Sequence, residues 1–322
     1  MMLSKSFFSL VSILIATGVL EDGTVNALGA DGKCRILSLR GGGVHGAFEV
    51  GVLQAIVDNM PKDEIKYDYV GGVSVGALNA SIMASFSPGE EKKAVEKMAS
   101  VYRGRATAEL FDFHKPKLLA PFRESSLADN AKMKHLLEDT LGDRPFKRCL
   151  SILSCDLNSG QVIIFDETMN KEERIDSIIS STAISFAFPP ERIDDMLLVD
   201  GSLFSTVSVG DPIERCRMEV ESDEDIIIDV VLCYESLYDF EEWDPQVLRW
   251  KTAFDMYGRR KSINHFYYYE EDFLRMTRGY HDVQFRLLVA PSKPLTSKGF
   301  VPINATAEDI EAEIAQGYED GL

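Results

Sequence analysis

Apolar and polar stretches alternate along the chain in a way that is typical of α/β proteins. Short apolar runs of strand length are followed by longer segments in which apolar residues recur at helical spacing. The first unit is a strand over 34–39 with a helix over 46–58, and the second is a strand over 67–71 with a helix over 75–86. This alternation favours a mostly parallel sheet covered by helices on both faces.

The rest of the chain continues the pattern less regularly. A turn at Asp156-Leu157-Asn158-Ser159-Gly160 predicts a pair of joined strands. Residues 103–127 are rich in apolar and aromatic side chains without a clear period, which fits a lid, a lipid-facing insertion or a loop packed on the body. Further helices are predicted around 90–103, over 128–141 and around 178–183. Further strands are predicted at 149–155, 161–165, 196–199, 226–232 and 283–289, with a polar and aromatic helical region between the last two.

A glycine-rich loop follows the first strand. Gly41, Gly42 and Gly43 are consecutive, and Val44-His45-Gly46 leads into the helix. Such a loop at a helix N-terminus leaves main-chain N–H groups convergent, so it can hold a phosphate or the oxyanion of an acyl-transfer intermediate.

A second motif follows the second strand. Gly72-Val73-Ser74-Val75-Gly76 has the form G-x-S-x-G and opens into a helix of small residues. A serine on a sharp strand-to-helix turn has strained backbone angles, and glycines on both sides avoid collisions with the neighbouring elements. The spacing therefore predicts a nucleophile elbow with Ser74 as the nucleophile.

The glycine loop has a competing interpretation. Gly41, Gly43 and Gly46 also fit G-x-G-x-x-G, the dinucleotide-binding pattern. That pattern expects an acidic residue at the end of the next strand to bind a ribose hydroxyl. Ser74 stands there instead, which favours acyl transfer over nucleotide binding.

A third motif completes a resemblance to a known family. The apolar run 196–199 ends at Asp200-Gly201, and the ends of strands are where catalytic groups gather in α/β sheets. The glycine loop, the elbow and Asp200-Gly201, in this order, resemble the patatin-like phospholipase family from about Cys34 to the C-terminus. The resemblance implies a three-layer α/β/α fold with a mostly parallel central sheet, a single domain over 31–322, and lipid acyl hydrolase activity.

The resemblance also implies roles for individual residues. Ser74 would be the nucleophile and Asp200 the proton acceptor of a dyad, with Gly72 and Gly76 shaping the elbow and Gly201 following the base. The oxyanion hole would be formed by Gly41, Gly42, Gly43, His45 and Gly46.

The chain departs from the family pattern at three positions. Arg40 stands where plant members commonly have an acidic residue, His45 replaces the usual basic residue, and Ser202 replaces a glycine or alanine. An imidazole at position 45 titrates near neutrality, so oxyanion stabilisation would be weaker or dependent on pH.

Two alternatives to the dyad remain open. The order Ser74, Asp200, then His265 or His281 also fits a Ser-Asp-His esterase. The second alternative is a catalytically silent storage or binding protein of the same fold.

The first 30 residues differ from the rest of the chain. A basic start at Lys5, an apolar run from Phe7 to Leu20 and small residues near positions 27 and 30 predict a signal peptide cleaved at one of these points. The expected destination is outside the cell or in an endomembrane or vacuolar lumen, and an uncleaved membrane signal anchor is the alternative.

Charge narrows the classes of partner. The 322 residues carry a formal net charge of −18, and the acidic run Glu219 to Asp225 fits a solvated loop better than a calcium site. This balance argues against nucleic-acid binding and against electrostatic docking to anionic bilayers. The expected partners are a glycerolipid or phospholipid substrate and a transiently contacted membrane or micelle surface.

Cysteines and acceptor motifs add little chemistry. Five cysteines match no zinc pattern, allow one or two disulfides and leave at least one thiol unpaired. No cofactor or metal is predicted. Asn79 and Asn304 both fit the glycan acceptor pattern, but Asn79 lies in the helix behind the elbow, so only Asn304 is a candidate.

Overall fold

The computed structural model of the chain describes residues 28–29, 31–114, 125–233, 249, 251–295 and 305–322. Nearly all of the predicted signal peptide lies outside these residues. Asn304, the predicted glycan site, and 115–124, the middle of the predicted lid segment, also lie outside them.

The first two strand-helix units form as predicted, with small shifts at their ends. Strand β1 is Cys34–Leu39 and is followed by helix α1, Gly46–Asn59, while β2 is Tyr69–Val73 and is followed by α2, Val75–Ala84. Strand β2 begins two residues later than predicted. The Asp68 side chain accepts a hydrogen bond from the Arg35 amide at 2.9 Å. At this end of the β1–β2 pair, a side-chain oxygen therefore takes the place of a main-chain carbonyl as the acceptor.

The remaining elements complete an eight-stranded mixed sheet and its helical layers. Neighbouring strands follow the order β10-β9-β1-β2-β5-β8-β7, with β6 also paired to β5. Strands β10, β9, β1, β2 and β5 are parallel, whereas β6 and β8 are antiparallel to β5. The other strands are β3 Asp112–Phe113, β4 Ala128–Asp129, β5 Cys149–Asp156, β6 Val162–Phe165, β7 Glu191–Ile193, β8 Met196–Asp200, β9 Ile226–Val231 and β10 Gln284–Val289. The other helices are α3 Glu91–Tyr102, α4 Ala131–Leu141, α5 Lys171–Thr182, α6 Gly210–Cys216, α7 Ala253–Gly279 and α8 Ala307–Asp320.

The side chains of the central strands alternate between two apolar layers. In β1, Leu37 and Leu39 belong to a core shared with α1, α2 and α3. Cys34 and Ile36, on the opposite face, belong to a second core that includes residues of α6 and α7. Because successive side chains of a strand point to opposite faces, one continuous apolar run supplies both layers. This arrangement confirms the α/β class with a mostly parallel sheet between two helical layers.

Several elements differ from the sequence prediction. Residues 128–129 pair with 112–113 as a short antiparallel ribbon, so the predicted helix 128–141 begins at Ala131. Helix α5 begins at Lys171 instead of around 178 because the Asn170 side chain accepts from the amides of Glu172 and Glu173, capping an additional turn. Helices α6 and α8 were not predicted.

A disulfide joins Cys34, at the start of β1, to Cys216, at the end of α6. The three other cysteines, Cys149, Cys155 and Cys233, are unpaired and buried. Within the part of the chain that the structure describes, no helix is both long enough and apolar enough to cross a membrane.

Candidate active site

Ser74 occupies a strained turn between β2 and α2. Its backbone angles, φ 56° and ψ −125°, lie in a region that side-chain-bearing residues rarely adopt. A Cβ on Gly72 would lie 2.2 Å from the Gly76 carbonyl oxygen, and one on Gly76 would lie 2.3 Å from the Leu39 carbonyl oxygen. Both glycines of the motif are therefore required by close backbone packing, which holds the strain at Ser74 in place.

Ser181 anchors this turn, although no motif had indicated it. The Ser74 amide donates to Ser181 Oγ at 3.0 Å, and Ser181 Oγ donates to the Leu153 carbonyl at 2.7 Å. Helix α5 thus ties the elbow to strand β5. Nothing in the local sequence around Ser181 signals this contact, because its partners are more than 25 residues away.

The topology brings Asp200 to the same place as Ser74. Strands β2 and β6 share Ile152 and Leu153 of β5 as partners, so they lie on opposite edges of β5. Strands β6 and β8 likewise share Ser154 and Cys155, which puts β8 on the edge already occupied by β2. Val73 is opposite Leu153 and Asp200 is opposite Ser154, the next residue of β5. The ends of β2 and β8 therefore meet head to head.

The Asp200 carboxyl group is almost fully buried. Its Oδ1 atom accepts from the Ser202 amide at 2.8 Å, and Oδ2 has no hydrogen-bond partner of ordinary geometry among the described residues. Burial raises the pKa of Asp200 to about 6, while hydrogen bonding from Ser74 and Ser202 lowers it. Ser74 is thus near enough to affect this pKa, even though the two side chains are not joined at ordinary hydrogen-bond geometry. The carboxylate has the basicity that a proton acceptor needs near neutral pH.

Gly201 allows β8 to end so close to β5. A Cβ at this position would lie 2.3 Å from the Leu153 carbonyl oxygen. Any side chain would push the strand end, and with it Asp200, away from the elbow.

The glycine loop lies beside Ser74, but its amides serve different purposes. The Gly41 amide donates to the Thr206 carbonyl at 2.9 Å, and the Gly46 amide donates to the carbonyls of Gly43 and Val44. Gly41 and Gly46 therefore support the loop and do not offer the N–H donors expected of them. Gly42 and Gly43 remain as donors, since no hydrogen bond from either amide to another described residue is seen.

Gly42 and Gly43 are glycines for distinct reasons. A Cβ on Gly42 would lie 2.5 Å from Cys233 Sγ. Gly43 has φ 61°, a left-handed conformation that glycine adopts without strain. Gly42 thus leaves no room for a side chain beside Cys233, and Gly43 adopts a left-handed backbone conformation that favours glycine.

His45, which the resemblance places in the oxyanion hole, is turned toward helix α8. It is buried, and its Nδ1 lies 3.0 Å from Glu313 Oε1 on helix α8. Glu313 is fully buried and was not singled out from the sequence.

A buried polar cluster packs behind the loop. Asn79 of α2 donates to the Gly46 carbonyl at 3.2 Å and to Glu49 Oε2 at 2.8 Å, and it accepts from the Tyr102 hydroxyl at 3.0 Å. Burial raises the pKa of Glu49 to about 8, so this side chain is protonated near neutral pH. Asn79 is buried, in agreement with its exclusion as a glycan site.

An apolar pocket opens beside Ser74. Its walls come from the glycine loop, from helices α2, α3, α4, α5 and α8, from residues 105–111 of the segment 103–127, and from the loop after α5. Such a pocket accommodates an alkyl chain. The lining residues are Gly43, Val44, Ser74, Val75, Leu78, Val101, Tyr102, Arg105, Thr107, Leu110, Phe111, Met133, Leu136, Thr182, Ile184, Phe188 and Ile310.

Of the two histidines of the alternative triad, the structure describes the side chain of His281, which does not lie at this site. His281 is exposed, and its Nε2 lies 3.1 Å from the neighbouring Asp282. His265 belongs to α7, and its side chain is outside the described residues. Among the described residues no group of three or more histidine, cysteine, aspartate or glutamate side chains could hold a metal ion.

The fold and the site together define a class of protein. Its members are α/β proteins with a strained serine on the wall of an apolar pocket. Within this class, the model of the family "Patatin-like phospholipase" matches residues 37–213, more than half of the chain. The chain therefore belongs to the patatin-like phospholipase family, and this membership supports lipid hydrolase activity.

Two individual proteins show more distant similarity. A cGAMP-activated phospholipase from Escherichia coli (strain TW11681) is 25% identical over 190 residues, which cover 53% of this chain and 52% of the relative. The chain thus spans about half the length of the curated relative that it matches. Among solved structures, the crystal structure of VipD from Legionella pneumophila matches with a TM-score of 0.43 and 14% identity over 90% of this chain and 66% of that chain.

Proposed function

We propose that this protein hydrolyses the acyl esters of glycerolipids, with Ser74 as nucleophile and Asp200 as general base. The observation that carries the proposal is the meeting of the ends of β2 and β8 on one edge of β5. It brings a strained serine next to a buried carboxylate whose pKa is about 6. Ser74 also lines an apolar pocket.

The reaction follows from these positions. Asp200 accepts the hydroxyl proton while Ser74 Oγ attacks the ester carbonyl, and the carbonyl oxygen becomes an oxyanion held by the N–H groups of Gly42, Gly43 and Val75. Collapse of this intermediate breaks the ester bond, and the leaving alcohol takes the proton from Asp200. In the second half, Asp200 removes a proton from water, which attacks the acyl-enzyme. Ser74 Oγ then leaves with the proton from Asp200, and the fatty acid is released.

The proposed substrate class rests on the pocket. Its aliphatic and aromatic walls suit a fatty acyl chain and offer few groups that could bind a polar one. Lipids of this kind are presented by membranes or micelles. The side chains of Phe186 and Phe204 are exposed, and they lie on the segments that carry Phe188 and Asp200. They supply apolar surface through which a protein of net charge −18 can contact a lipid surface.

The test compares wild-type protein with two serine variants. Wild type and Ser100→Ala are expected to hydrolyse a short-chain nitrophenyl ester and phospholipid vesicles at equal rates, because Ser100 is exposed and its hydroxyl donates to the Lys97 carbonyl within the same helix. Ser74→Ala should lose at least about 10³-fold in kcat. Equal rates for wild type and Ser74→Ala would show that the esterase is a contaminant and the protein is silent.

A second pair of variants separates the dyad from the triad. Asp200→Ala should abolish hydrolysis, whereas a double change of His265 and His281 to alanine should preserve it. Loss of hydrolysis in the double histidine variant as well, in protein shown to be folded by circular dichroism, would favour the Ser-Asp-His esterase. An inactive histidine variant beside an active Asp200→Ala protein would overturn the dyad. Lipid profiling of the active protein against phospholipid, galactolipid and triacylglycerol would then identify the head group.

The proposed destination is extracellular or lumenal. N-terminal sequencing of the protein recovered from a secreting host is expected to show a new start near residue 28 or 31. Recovery of the intact N-terminus in the membrane fraction would favour the signal anchor.

A further inference from the structure

Helix α8 contributes a buried carboxylate to the loop beside Ser74. Glu313 is 0% exposed, and its Oε1 lies 3.0 Å from Nδ1 of His45, itself 5% exposed. Burying a carboxylate is costly unless it is held by a hydrogen-bonded partner. The pair therefore acts as a fixed point between the C-terminal helix and the glycine loop.

Three further contacts show that α8 is part of the wall around the site. Ala305, just before the helix, exchanges backbone and side-chain hydrogen bonds of 2.7 to 3.2 Å with Thr107 of the pocket. Ile310 lines the pocket directly. Gly317 packs so closely on α1 that an added Cβ would lie 2.1 Å from the Phe48 carbonyl oxygen. Ala305, Ile310 and Gly317 lie beyond 37–213, the stretch matched by the family model.

The His45 backbone links this pair to an oxyanion donor. The His45 amide donates to the Gly42 carbonyl at 3.2 Å. In a trans peptide unit, that carbonyl and the N–H of Gly43 lie in one plane and point in opposite directions. Fixing His45 therefore fixes the orientation of the Gly43 N–H, which is one of the donors in the proposed mechanism.

We propose that Glu313 is a positioning residue that orients the oxyanion loop through His45, so that the active site is incomplete without α8. This inference rests on the proposed function of Ser74. Glu313 does not touch the reacting atoms, and its effect on catalysis passes through the hydrogen bond to His45. The expected signature is a loss in kcat with little change in KM, because the oxyanion forms after the substrate has bound.

The experiment replaces Glu313 by glutamine, which keeps the size of the side chain and removes its charge. Glu313→Gln is expected to lower kcat on the nitrophenyl ester by about 10- to 100-fold, as for a small misplacement of a catalytic group, with KM within about 3-fold of wild type. Glu311→Gln is the matched control. Glu311 is on the same helix, but its side chain is exposed and faces Arg103 at 3.8 Å.

A double-mutant cycle tests whether the effect passes through His45. If it does, the variant with both Glu313→Gln and His45→Ala should be about as slow as the slower single variant, because both changes act on the same interaction. His45→Ala removes it, and Glu313→Gln replaces its carboxylate by a neutral amide. Additive losses would overturn the proposed route. Thermal unfolding of every variant is measured in parallel, and a lower Tm with unchanged kcat would mean that Glu313 has only a structural role.

The remaining outcomes are also decisive. If wild type shows no Ser74-dependent hydrolysis, the proposed function fails. If wild type is active and Glu313→Gln has the same kcat, only the positioning role fails. Should Glu313→Gln not fold, Glu313→Asp keeps the charge and withdraws the oxygens from His45, and a wild-type kcat in that variant would overturn the inference.

Discussion

At the scale of single residues, Asp200 is held between two opposing influences. Burial raises its pKa, and hydrogen bonds from Ser74 and Ser202 lower it. A fully exposed aspartate would be too weak a base for a serine hydroxyl, and a more deeply desolvated one would stay protonated at neutral pH. The value of about 6 lies between these limits.

The pKa of Asp200 predicts the pH dependence of the reaction. Only the ionised carboxylate can accept the Ser74 proton, so kcat/KM should be constant above about pH 7 and fall tenfold per pH unit below about pH 6. The measurement is kcat/KM on an uncharged ester between pH 4.5 and pH 8. A profile that stays flat down to pH 5 would show that Asp200 ionises as an ordinary aspartate and is not desolvated in the working enzyme.

The same shift predicts an effect on stability. The folded state binds the proton near pH 6 and the unfolded state near pH 3.8, so stability falls as the pH rises between these values. Above pH 7, Asp200→Asn should therefore be inactive but more stable, by about 3 kcal/mol for a shift of about two units. Urea unfolding of both proteins at pH 7.5 and at pH 3.5 measures this difference, which should disappear at the lower pH. A variant less stable than wild type at pH 7.5 would contradict the expectation.

At the scale of secondary-structure elements, the site depends on helices that carry no recognisable motif. Helix α5 anchors the elbow through Ser181, and α8 contacts the loop through Glu313. Helices α1 and α8 pack closely because each has a glycine at the contact, Gly51 in α1 and Gly317 in α8. A Cβ on Gly51 would lie 2.0 Å from the Ile314 carbonyl oxygen. The approach of the two backbones brings Glu313 within reach of His45.

Gly317→Ala tests this close helix contact. Alanine favours a helix by about 1 kcal/mol over glycine, but here its Cβ would lie 2.1 Å from the Phe48 carbonyl oxygen. We expect a net loss of about 1 to 3 kcal/mol in the free energy of unfolding, together with a lower kcat as α8 moves away from the loop. The measurements are urea unfolding and ester hydrolysis.

Gly258→Ala is the control for that change. It makes the same substitution in helix α7, where an added Cβ meets nothing within 4 Å. This variant should be as stable as wild type or more so. A Gly317→Ala protein that behaved in the same way would show that α1 and α8 are not in close contact.

At the scale of the whole molecule, one disulfide encloses the whole stretch matched by the family model, residues 37–213. The Cys34–Cys216 disulfide joins residues 182 positions apart and links the first strand of the sheet to helix α6 on one face. A cross-link over so long a segment restricts the unfolded chain strongly. Ser74 and Asp200 both lie within the closed segment.

Removal of this disulfide should lower stability without changing the chemistry of the site. The double variant Cys34→Ala and Cys216→Ala is expected to lose about 2 to 5 kcal/mol in the free energy of unfolding, with kcat close to wild type while the protein is folded. Urea unfolding with and without a reductant makes the measurement. The reductant should destabilise wild type and leave the variant unchanged, and equal sensitivity of the two proteins would argue that the disulfide does not form.

The sequence by itself determined the class of the fold and the two strand-helix units that carry the glycine loop and Ser74. These features are local: strand and helix periods, and glycines that a sharp turn requires, can be recognised within a dozen residues. The boundaries of β2, α4 and α5 differed because side-chain caps and strand pairing decide them.

Only the tertiary structure decided which groups meet Ser74. Asp200 reaches it because β8 runs antiparallel to β5 on the same edge as β2, beyond the point where β2 ends. Ser181 reaches the elbow and Glu313 reaches the glycine loop from helices far along the chain. It also decided that the Gly41 amide is taken by Thr206 and that His45 is turned toward Glu313. Contacts of this kind depend on sheet register and on the approach of helices, which are set by packing across the whole domain and leave no pattern in the local sequence.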